Sequence, residues 1–228
     1  MMRDVYSDNA QSWWDDEGPF KMLHRMHPHR LAYLLRHLSE VQDCHILDYG
    51  CGGGLLSESL AQLGAKVVSV DQSARTIDFA RAHAVQMNLP IHYVHGTVDT
   101  LDDRYFSYDC FDAVCALECL EHVQSPQRLM VSLSSCLRLG GYAFFSTLNR
   151  TLLSGLFGIV AAEYLLGWVE PGTHEYDKFI KPSELVSMAH AANLELVDLQ
   201  GISFNVRTQD FYLSRDVQIN YMAVFRKI

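Results

Sequence analysis

The sequence predicts an α/β fold in which a mostly parallel sheet carries helices on both faces. Apolar, strand-like runs alternate with helix-periodic segments from residue 44 onward. A glycine-rich turn follows the first run, and the second run ends in an acidic residue. This alternation is typical of parallel strands joined by crossover helices. We expect seven strands, the last of them antiparallel, at about 44–49, 66–71, 91–95, 111–117, 141–147, 194–203 and 217–226.

The helices are predicted from apolar spacing and from residues that favour helix ends. Ser73 is a candidate N-cap, and Pro126 suits the first turn of a later helix. Pro28 is expected in the first turn of the earliest helix. Gly140 and Gly141 should end a helix and lead into the next strand. The expected helices are 31–38, 55–63, 73–88, 126–138 and 183–192.

The composition indicates one globular domain over residues 1–228, with a helical extension at 9–40 and an apolar insertion at 150–182. Hydrophobic residues make up 49% and charged residues 20% of the chain. The net charge of −9 argues against nucleic acid as a partner. The six cysteines form no C-x-x-C pair, and the first ten residues are polar. We therefore expect reduced thiols in a cytoplasmic protein without a secretory signal.

The glycine-rich turn lies between a strand that ends near Asp48 and a helix that begins at Leu55. Glycines without side chains let the backbone approach a ligand closely at such a turn. The spacing from Gly50 reads G-x-G-G-G, which is not the G-x-G-x-x-G of dinucleotide-binding proteins. The turn, including Gly50 and Gly52, is therefore predicted to bind a ligand other than a dinucleotide.

The charges around the turn favour S-adenosylmethionine as that ligand. Asp71 ends the second strand, where an acid can accept both hydroxyls of a ribose. Asp48 precedes the glycines and would repel a pyrophosphate but attract a sulfonium or ammonium group. Arg30 could pair with the carboxylate of the methionine part, although an ordinary surface ion pair is the alternative.

Three residues after the fourth strand are candidates for the chemistry. Glu118, Glu121 and His122 have the i, i+3, i+4 spacing of one helical face. Two carboxylates and an imidazole could hold a divalent metal such as Mg²⁺ or Mn²⁺, and Zn²⁺ also tolerates this set. A metal would lower the pKa of a phenolic oxygen. Without a metal, His122 could act as a general base, or Glu121 and His122 could simply fix the loop.

Two apolar segments suggest a hydrophobic partner. Residues 152–169 are the most apolar in the chain, but Glu163 lies within them and disfavours a membrane span. A helix lying on a membrane, a cover over an apolar pocket and ordinary packing all remain open. Trp13 and Trp14 either pack on the main domain or form the wall of an aromatic substrate pocket.

With these residues in view, the chain resembles the ubiquinone-biosynthesis O-methyltransferases, which are S-adenosylmethionine-dependent enzymes of class I fold. That fold is a Rossmann-like three-layer α/β/α sandwich. The glycine and Glu-His motifs are shared by many methyltransferases, whereas the other matching segments are more particular to this family. Tyr49 stands where many members have valine. The resemblance covers nearly the whole chain, from Trp13 to Lys227, and rests on residues 13–15, 20–21, 23–25, 47–54, 120–123, 145–150, 162–164, 172–174 and 178–182.

The resemblance implies residue roles. By position, Arg30, Gly50, Asp71 and Leu117 match the cofactor contacts of the family. Glu118, Glu121 and His122 match the metal-binding set of some members, and residues 152–169 match a segment that docks on lipid.

The resemblance also implies the reaction. The family methylates phenolic hydroxyls of polyprenylated catechol intermediates. Its two steps are 3-demethylubiquinol to ubiquinol and 2-polyprenyl-6-hydroxyphenol to 2-methoxy-6-polyprenylphenol. Peripheral contact with the cytoplasmic membrane and with other ubiquinone-pathway enzymes is implied as well. The rival hypotheses are a methyltransferase for another small phenol, a nicotinamide oxidoreductase, and a lipid-docking module of the same fold without activity.

Overall fold

The structure is a computed structural model, and it describes residues 9–38, 40–97, 110–155 and 176–228. Five α-helices lie in these residues: α1 (Lys21–His37), α2 (Leu55–Gln62), α3 (Ala74–Gln86), α4 (Pro126–Cys136) and α5 (Pro182–Ala191). The first four strands are β1 (His45–Tyr49), β2 (Lys66–Asp71), β3 (His92–His95) and β4 (Phe111–Leu117). The others are β5 (Leu137–Leu148), β6 (Leu194–Asn205), β7 (Asp210–Ser214) and β8 (Asn220–Lys227).

The strands form one sheet in the order β3-β2-β1-β4-β5-β8-β6-β7. Strands β1 to β5 run parallel to one another, as the alternating strands and helices predict. Strand β8 is antiparallel to both of its neighbours, β5 and β6. The start of β8 therefore lies at the same edge as the carboxyl ends of the parallel strands. This edge is where ligands of open α/β sheets bind.

The prediction of seven strands is wrong for this sheet, because the described residues contain an eighth, β7. It forms a hairpin with β6, and the Phe204 and Phe211 rings lie 5.1 Å apart. Phe211 and Leu213 pack against the apolar layer of α1 and α2, while Tyr212 between them is 47% exposed. The run of apolar residues in this strand is only three long, too short to predict a strand from its pattern.

Two apolar layers sandwich the sheet, which agrees with the predicted three-layer arrangement. On one face, α1 and α2 pack on the sheet through residues such as Leu34 and Leu60, which are fully buried. On the other face, α4 and α5 pack through residues such as Leu133 and Leu185, also fully buried. A third, smaller cluster lies beneath α3.

The helix ends agree with the sequence signals in two places and differ in two. The Ser73 and Ser125 side chains cap α3 and α4, and Pro126 opens α4. Pro28 lies inside α1, because that helix begins at Lys21 rather than near Pro28. Helix α4 ends at Cys136 and β5 starts at once, before the glycines expected to separate them. The register irregularity between Phe111 and Ala113 lets β5 extend past these glycines.

The predicted apolar insertion lies mostly outside the described residues, which stop at 155 and resume at 176. The parts that are described include Leu152 and Leu153, which are 86% and 41% exposed. Within the described ranges, no helix is both long enough and apolar enough to cross a bilayer.

Candidate functional site

The residues predicted to bind the cofactor lie at or beside one edge of the sheet. Asp48 lies near the end of β1, Asp71 ends β2 and Leu117 ends β4. The glycine turn connects to this edge because the amides of Gly50 and Cys51 both donate to the Val70 carbonyl, at 2.8 and 3.1 Å. The ends of β1, β2 and β4 therefore lie next to one another at this edge.

The glycines of the turn are required both by backbone conformation and by close packing. Gly50, Gly52 and Gly54 have positive φ angles of 72°, 54° and 92°, which disfavour other residues. A Cβ atom on Gly53 would lie 2.0 Å from the Trp13 ring. One on Gly54 would lie 2.1 Å from the Tyr93 hydroxyl. These α-carbons are thus approached by aromatic side chains of the chain itself.

Trp13 and Trp14 hold the N-terminal segment against the glycine turn. The Trp14 indole donates to the Gly53 carbonyl at 3.1 Å and stacks on the His83 ring at 3.8 Å. The carbonyl of Trp13 lies 2.8 Å from the His24 ring nitrogen. Of the two alternatives for this tryptophan pair, the described contacts support packing on the main domain.

Asp71 links the glycine turn to the next helix. One carboxylate oxygen accepts the Gly52 amide at 3.0 Å, and the other accepts the Ser73 amide at 2.9 Å. Backbone amides that donate to a carboxylate favour its charged form. Asp71 is therefore held in place as a fixed acceptor beside the glycines.

Asp48 lies beneath the turn, with only 3% of its surface exposed. Burial raises the pKa of its carboxyl to about 6, against the effect of a 2.6 Å hydrogen bond from the Ser57 hydroxyl. Ser57 in turn accepts a hydrogen bond from Ser69 at 2.9 Å. The residue is thus a buried acid with its own hydrogen-bond partners, and its role toward the cofactor stays a prediction.

Arg30 reaches from α1 to the end of β4, where it pairs with Glu118. The guanidinium donates to Glu118 Oε1 at 2.8 Å, and Arg30 is 6% exposed. Its Nε atom is buried and has no hydrogen-bond partner among the described residues. Arg30 therefore forms a buried pair rather than a surface pair, and it keeps a donor that could bind an anionic group.

Glu118 is fixed by an unusual backbone and by several donors. Its φ angle is +50°, in the left-handed region. Its Oε1 atom accepts hydrogen bonds from Arg30, from the Ser146 hydroxyl at 2.8 Å and from the Asn220 amide at 3.1 Å. Three donors on one oxygen indicate a charged carboxylate.

Glu121 is a buried carboxyl with one oxygen bound and the other unpaired. Oε2 accepts the Thr147 hydroxyl at 2.9 Å, while Oε1 is buried without a partner in the described part of the chain. The residue is 3% exposed. Burial, together with the nearby Glu118 charge, raises the pKa of Glu121 to about 8. A carboxyl with such a pKa can exchange a proton near neutral pH.

The described residues do not assemble the predicted metal site. The helical turn spans only Leu120–His122, so Glu118 in its left-handed conformation is not on a shared helical face. Glu121 is buried whereas His122 is exposed. Within the described ranges, no three His, Cys, Asp or Glu side chains are grouped to hold a metal ion. The metal assignment therefore stays a prediction without structural support.

The sequence analysis missed four polar residues of this site: Ser146, Thr147, Asn220 and Tyr221. They lie where β5 ends and β8 begins, and all four are buried. The signal that could have found them is a polar pair, Ser146 and Thr147, at the end of an otherwise apolar strand. Strand β8 gives a weaker signal, because the predicted antiparallel direction of the last strand did not show that it lies beside β5.

Comparison with known proteins defines the class first. The model of the methyltransferase domain family matches residues 9–199, so the chain belongs to that family. The fold agrees with a magnesium protoporphyrin IX methyltransferase from Synechocystis solved with bound S-adenosylhomocysteine. That likeness has a TM-score of 0.69 at 18% identity and covers 99% of this chain and 98% of that one. A methyltransferase from Methanosarcina mazei gives a TM-score of 0.63 at 20% identity, and the match covers 85% of this chain and 97% of that one.

Curated relatives narrow the family further. A ubiquinone biosynthesis O-methyltransferase of Idiomarina loihiensis is 44% identical over 97% of this chain and 90% of its own length. Proteins of the same name from Coxiella burnetii and Pasteurella multocida are 43% and 39% identical, over 96% and 98% of this chain and 92% and 95% of theirs. The chain belongs to the ubiquinone biosynthesis O-methyltransferases, as its sequence motifs predict.

Proposed function

We propose that this chain is an S-adenosylmethionine-dependent O-methyltransferase that methylates phenolic hydroxyls of polyprenylated catechol intermediates in ubiquinone biosynthesis. The two steps named for the family, on 2-polyprenyl-6-hydroxyphenol and on 3-demethylubiquinol, are the proposed reactions. The single observation that carries the chemistry is the buried Glu121 carboxyl with its unpaired Oε1 atom. This atom lies at the edge of the sheet where the substrate should bind.

The residues at the glycine turn have the chemistry that S-adenosylmethionine requires. Asp71 is a fixed acceptor for ribose hydroxyls, and the buried Nε of Arg30 can donate to the methionine carboxylate. Gly50, Gly52 and Leu117 would supply the backbone and apolar surface around the ligand. When bound, the cofactor supplies an activated methyl group on a sulfonium.

Glu121 is proposed as the base that takes the phenolic proton. An ordinary phenol has a pKa of about 10, so a base with a pKa nearer to neutral is suited to it. Oε1 of Glu121 would accept the phenolic proton, which would leave the phenolic oxygen as a nucleophile for the methyl group that a bound cofactor would supply. Thr147 holds Oε2 and so fixes the orientation of the carboxyl. His122, which is exposed at the end of the same turn, remains an alternative base.

The apolar insertion is proposed to receive the prenyl chain and to contact the surface of the cytoplasmic membrane. Leu152 and Leu153, near its start, are exposed and apolar. Exposed leucines beside an apolar segment are typical of surfaces that bind lipid. Contacts with other ubiquinone-pathway enzymes belong to the same proposal.

The test is turnover of a short-chain prenylated catechol by the purified protein with S-adenosylmethionine. We expect a methoxy product and saturable binding of S-adenosylhomocysteine. Assays with EDTA and with added Mg²⁺ decide whether the predicted metal takes part. Binding of NADH in place of S-adenosylhomocysteine would instead support an oxidoreductase, and liposome binding without nucleoside binding would support a docking module.

A further inference from the structure

Asn220 is a buried amide whose two ends differ in their partners. It is 8% exposed and begins β8, directly opposite Leu148 of β5. Its Nδ2 group donates to Glu118 Oε1 at 3.1 Å. Its Oδ1 atom is buried and finds no hydrogen-bond partner among the described residues.

The orientation of this amide is set by Glu118. A carboxylate oxygen only accepts hydrogen bonds, so the NH₂ end of the amide must face it and the oxygen must point elsewhere. Arg30 and Ser146 donate to the same Glu118 oxygen and hold that carboxylate in place. Asn220 Oδ1 is therefore a fixed acceptor that needs a donor.

The sheet order shows which ligand can supply the donor. Three of the predicted cofactor residues, Asp48, Asp71 and Leu117, lie on β1, β2 and β4, whereas Asn220 lies on β8, on the far side of β5. Glu121, the proposed base, is held by Thr147 on β5, between these two groups. A second ligand that reaches Glu121 would therefore lie toward the Asn220 side of the edge, next to the buried Oδ1 atom.

We propose that Asn220 is a substrate-positioning residue whose Oδ1 atom accepts a hydrogen bond from the non-reacting hydroxyl of the catechol. This inference rests on the proposed function. The non-reacting hydroxyl carries a proton that Oδ1 can accept, and an ether or a hydrogen at that ring position offers none. The contact orients the ring so that its other hydroxyl faces Glu121. It also gives the site a preference for a diol over a simple phenol.

The test compares kcat/KM for a short-chain prenylated catechol with that for the matched phenol, in which hydrogen replaces the non-reacting hydroxyl. The wild-type protein should prefer the catechol, and Asn220→Leu should reduce that preference by about tenfold. Any difference in intrinsic reactivity between the two compounds cancels, because the ratio of their kcat/KM values is compared between the wild type and the variant.

Ser146→Ala is the matched control, because it also removes one donor from Glu118 but leaves the Asn220 acceptor in place. It should lower the rates with both compounds and keep their ratio. Asn220→Ser, with a side chain too short to reach the same point, serves if the leucine variant does not fold, and should show the same reduced ratio.

Two results would overturn the inference while leaving the proposed function intact. One is a wild-type enzyme that turns over both compounds without preference. The other is an Asn220 variant that keeps the wild-type preference. If the wild-type protein methylates no prenylated phenol at all, the proposed function itself fails, and the inference fails with it.

Discussion

The edge of the sheet at the carboxyl ends of the parallel strands has two halves. The acidic side chains of the two halves differ in their hydrogen-bond partners. On the β1–β2 half, Asp71 is held by two backbone amides and Asp48 by the Ser57 hydroxyl. On the β4–β5–β8 half, the Glu121 carboxyl has one oxygen bound and one unpaired, close to the charge of Glu118.

This difference distinguishes acidic residues that bind a ligand from an acidic residue that takes part in the reaction. A carboxylate with two amide donors has its geometry fixed and its charge stabilised, which suits a residue that binds a ligand repeatedly without changing state. An unpaired buried oxygen costs about 1–3 kcal/mol of folding free energy. Such a cost is tolerated where a substrate supplies the missing partner. The first half therefore has the features of a cofactor cradle, and the second those of a reaction site.

The largest expected effect comes from removing the base. Glu121→Gln keeps the size of the side chain and its contact with Thr147 but cannot take a proton. We expect kcat to fall by about 100-fold or more. The affinity for S-adenosylhomocysteine, measured by calorimetry, should stay nearly unchanged because Asp71, the proposed ribose acceptor, lies on the other half of the edge.

The control for this prediction is His122→Ala, on the adjacent but exposed residue. If Glu121 is the base, this variant should retain most of its activity. A large loss in His122→Ala together with full activity in Glu121→Gln would reverse the assignment. Unchanged rates in both variants would refute the proposed chemistry on this half of the site.

An intermediate effect is expected on cofactor affinity when Asp71, on the β1–β2 half of the edge, is replaced. Asp71→Ala removes the acceptor for two amides and for the ribose, and should weaken S-adenosylhomocysteine binding by about tenfold or more. Asp78→Ala is the matched control, because that aspartate lies on α3 with its side chain 74% exposed. Equal affinities in the two variants would remove the distinction drawn between the halves.

The contrast between the halves also describes what the sequence could predict. The cradle is local: β1, the glycine turn and β2 follow one another in the chain, so their spacing and acids were enough to place Asp71 beside Gly52. The family motifs likewise led to the correct fold and family. The polar residues around Glu118 are not local, because Asn220 is 102 positions away from it.

The helical face expected for Glu118, Glu121 and His122 shows why spacing alone failed. An i, i+3, i+4 pattern indicates one face only if the backbone is helical through all of its positions. The chain enters the turn through a left-handed Glu118, and the turn itself is a single short one. The Glu118 backbone amide donates to the hydroxyl and the carbonyl of Ser146 on a neighbouring strand, which holds this conformation, and a sequence pattern does not contain that contact.

The smallest expected effect is on stability as a function of pH. Because folding raises the pKa of Glu121 from about 4.5 to about 8, the folded protein keeps a proton that the unfolded chain releases within that window. The stabilisation that this group contributes to the folded protein is fully present below the unfolded-state pKa. It is lost as the pH rises through the folded-state pKa. From pH 6.5 to 8.5, urea unfolding of the wild type should therefore show a larger loss of stability than Glu121→Gln, by about 1 kcal/mol or more.

The control is Asp48→Asn. Asp48 has its raised pKa at about 6, so this variant should keep the wild-type dependence of stability on pH between pH 6.5 and 8.5. Parallel slopes for the wild type and Glu121→Gln would mean that Glu121 is already charged in the folded protein, and the two halves of the edge would then no longer differ in the way proposed.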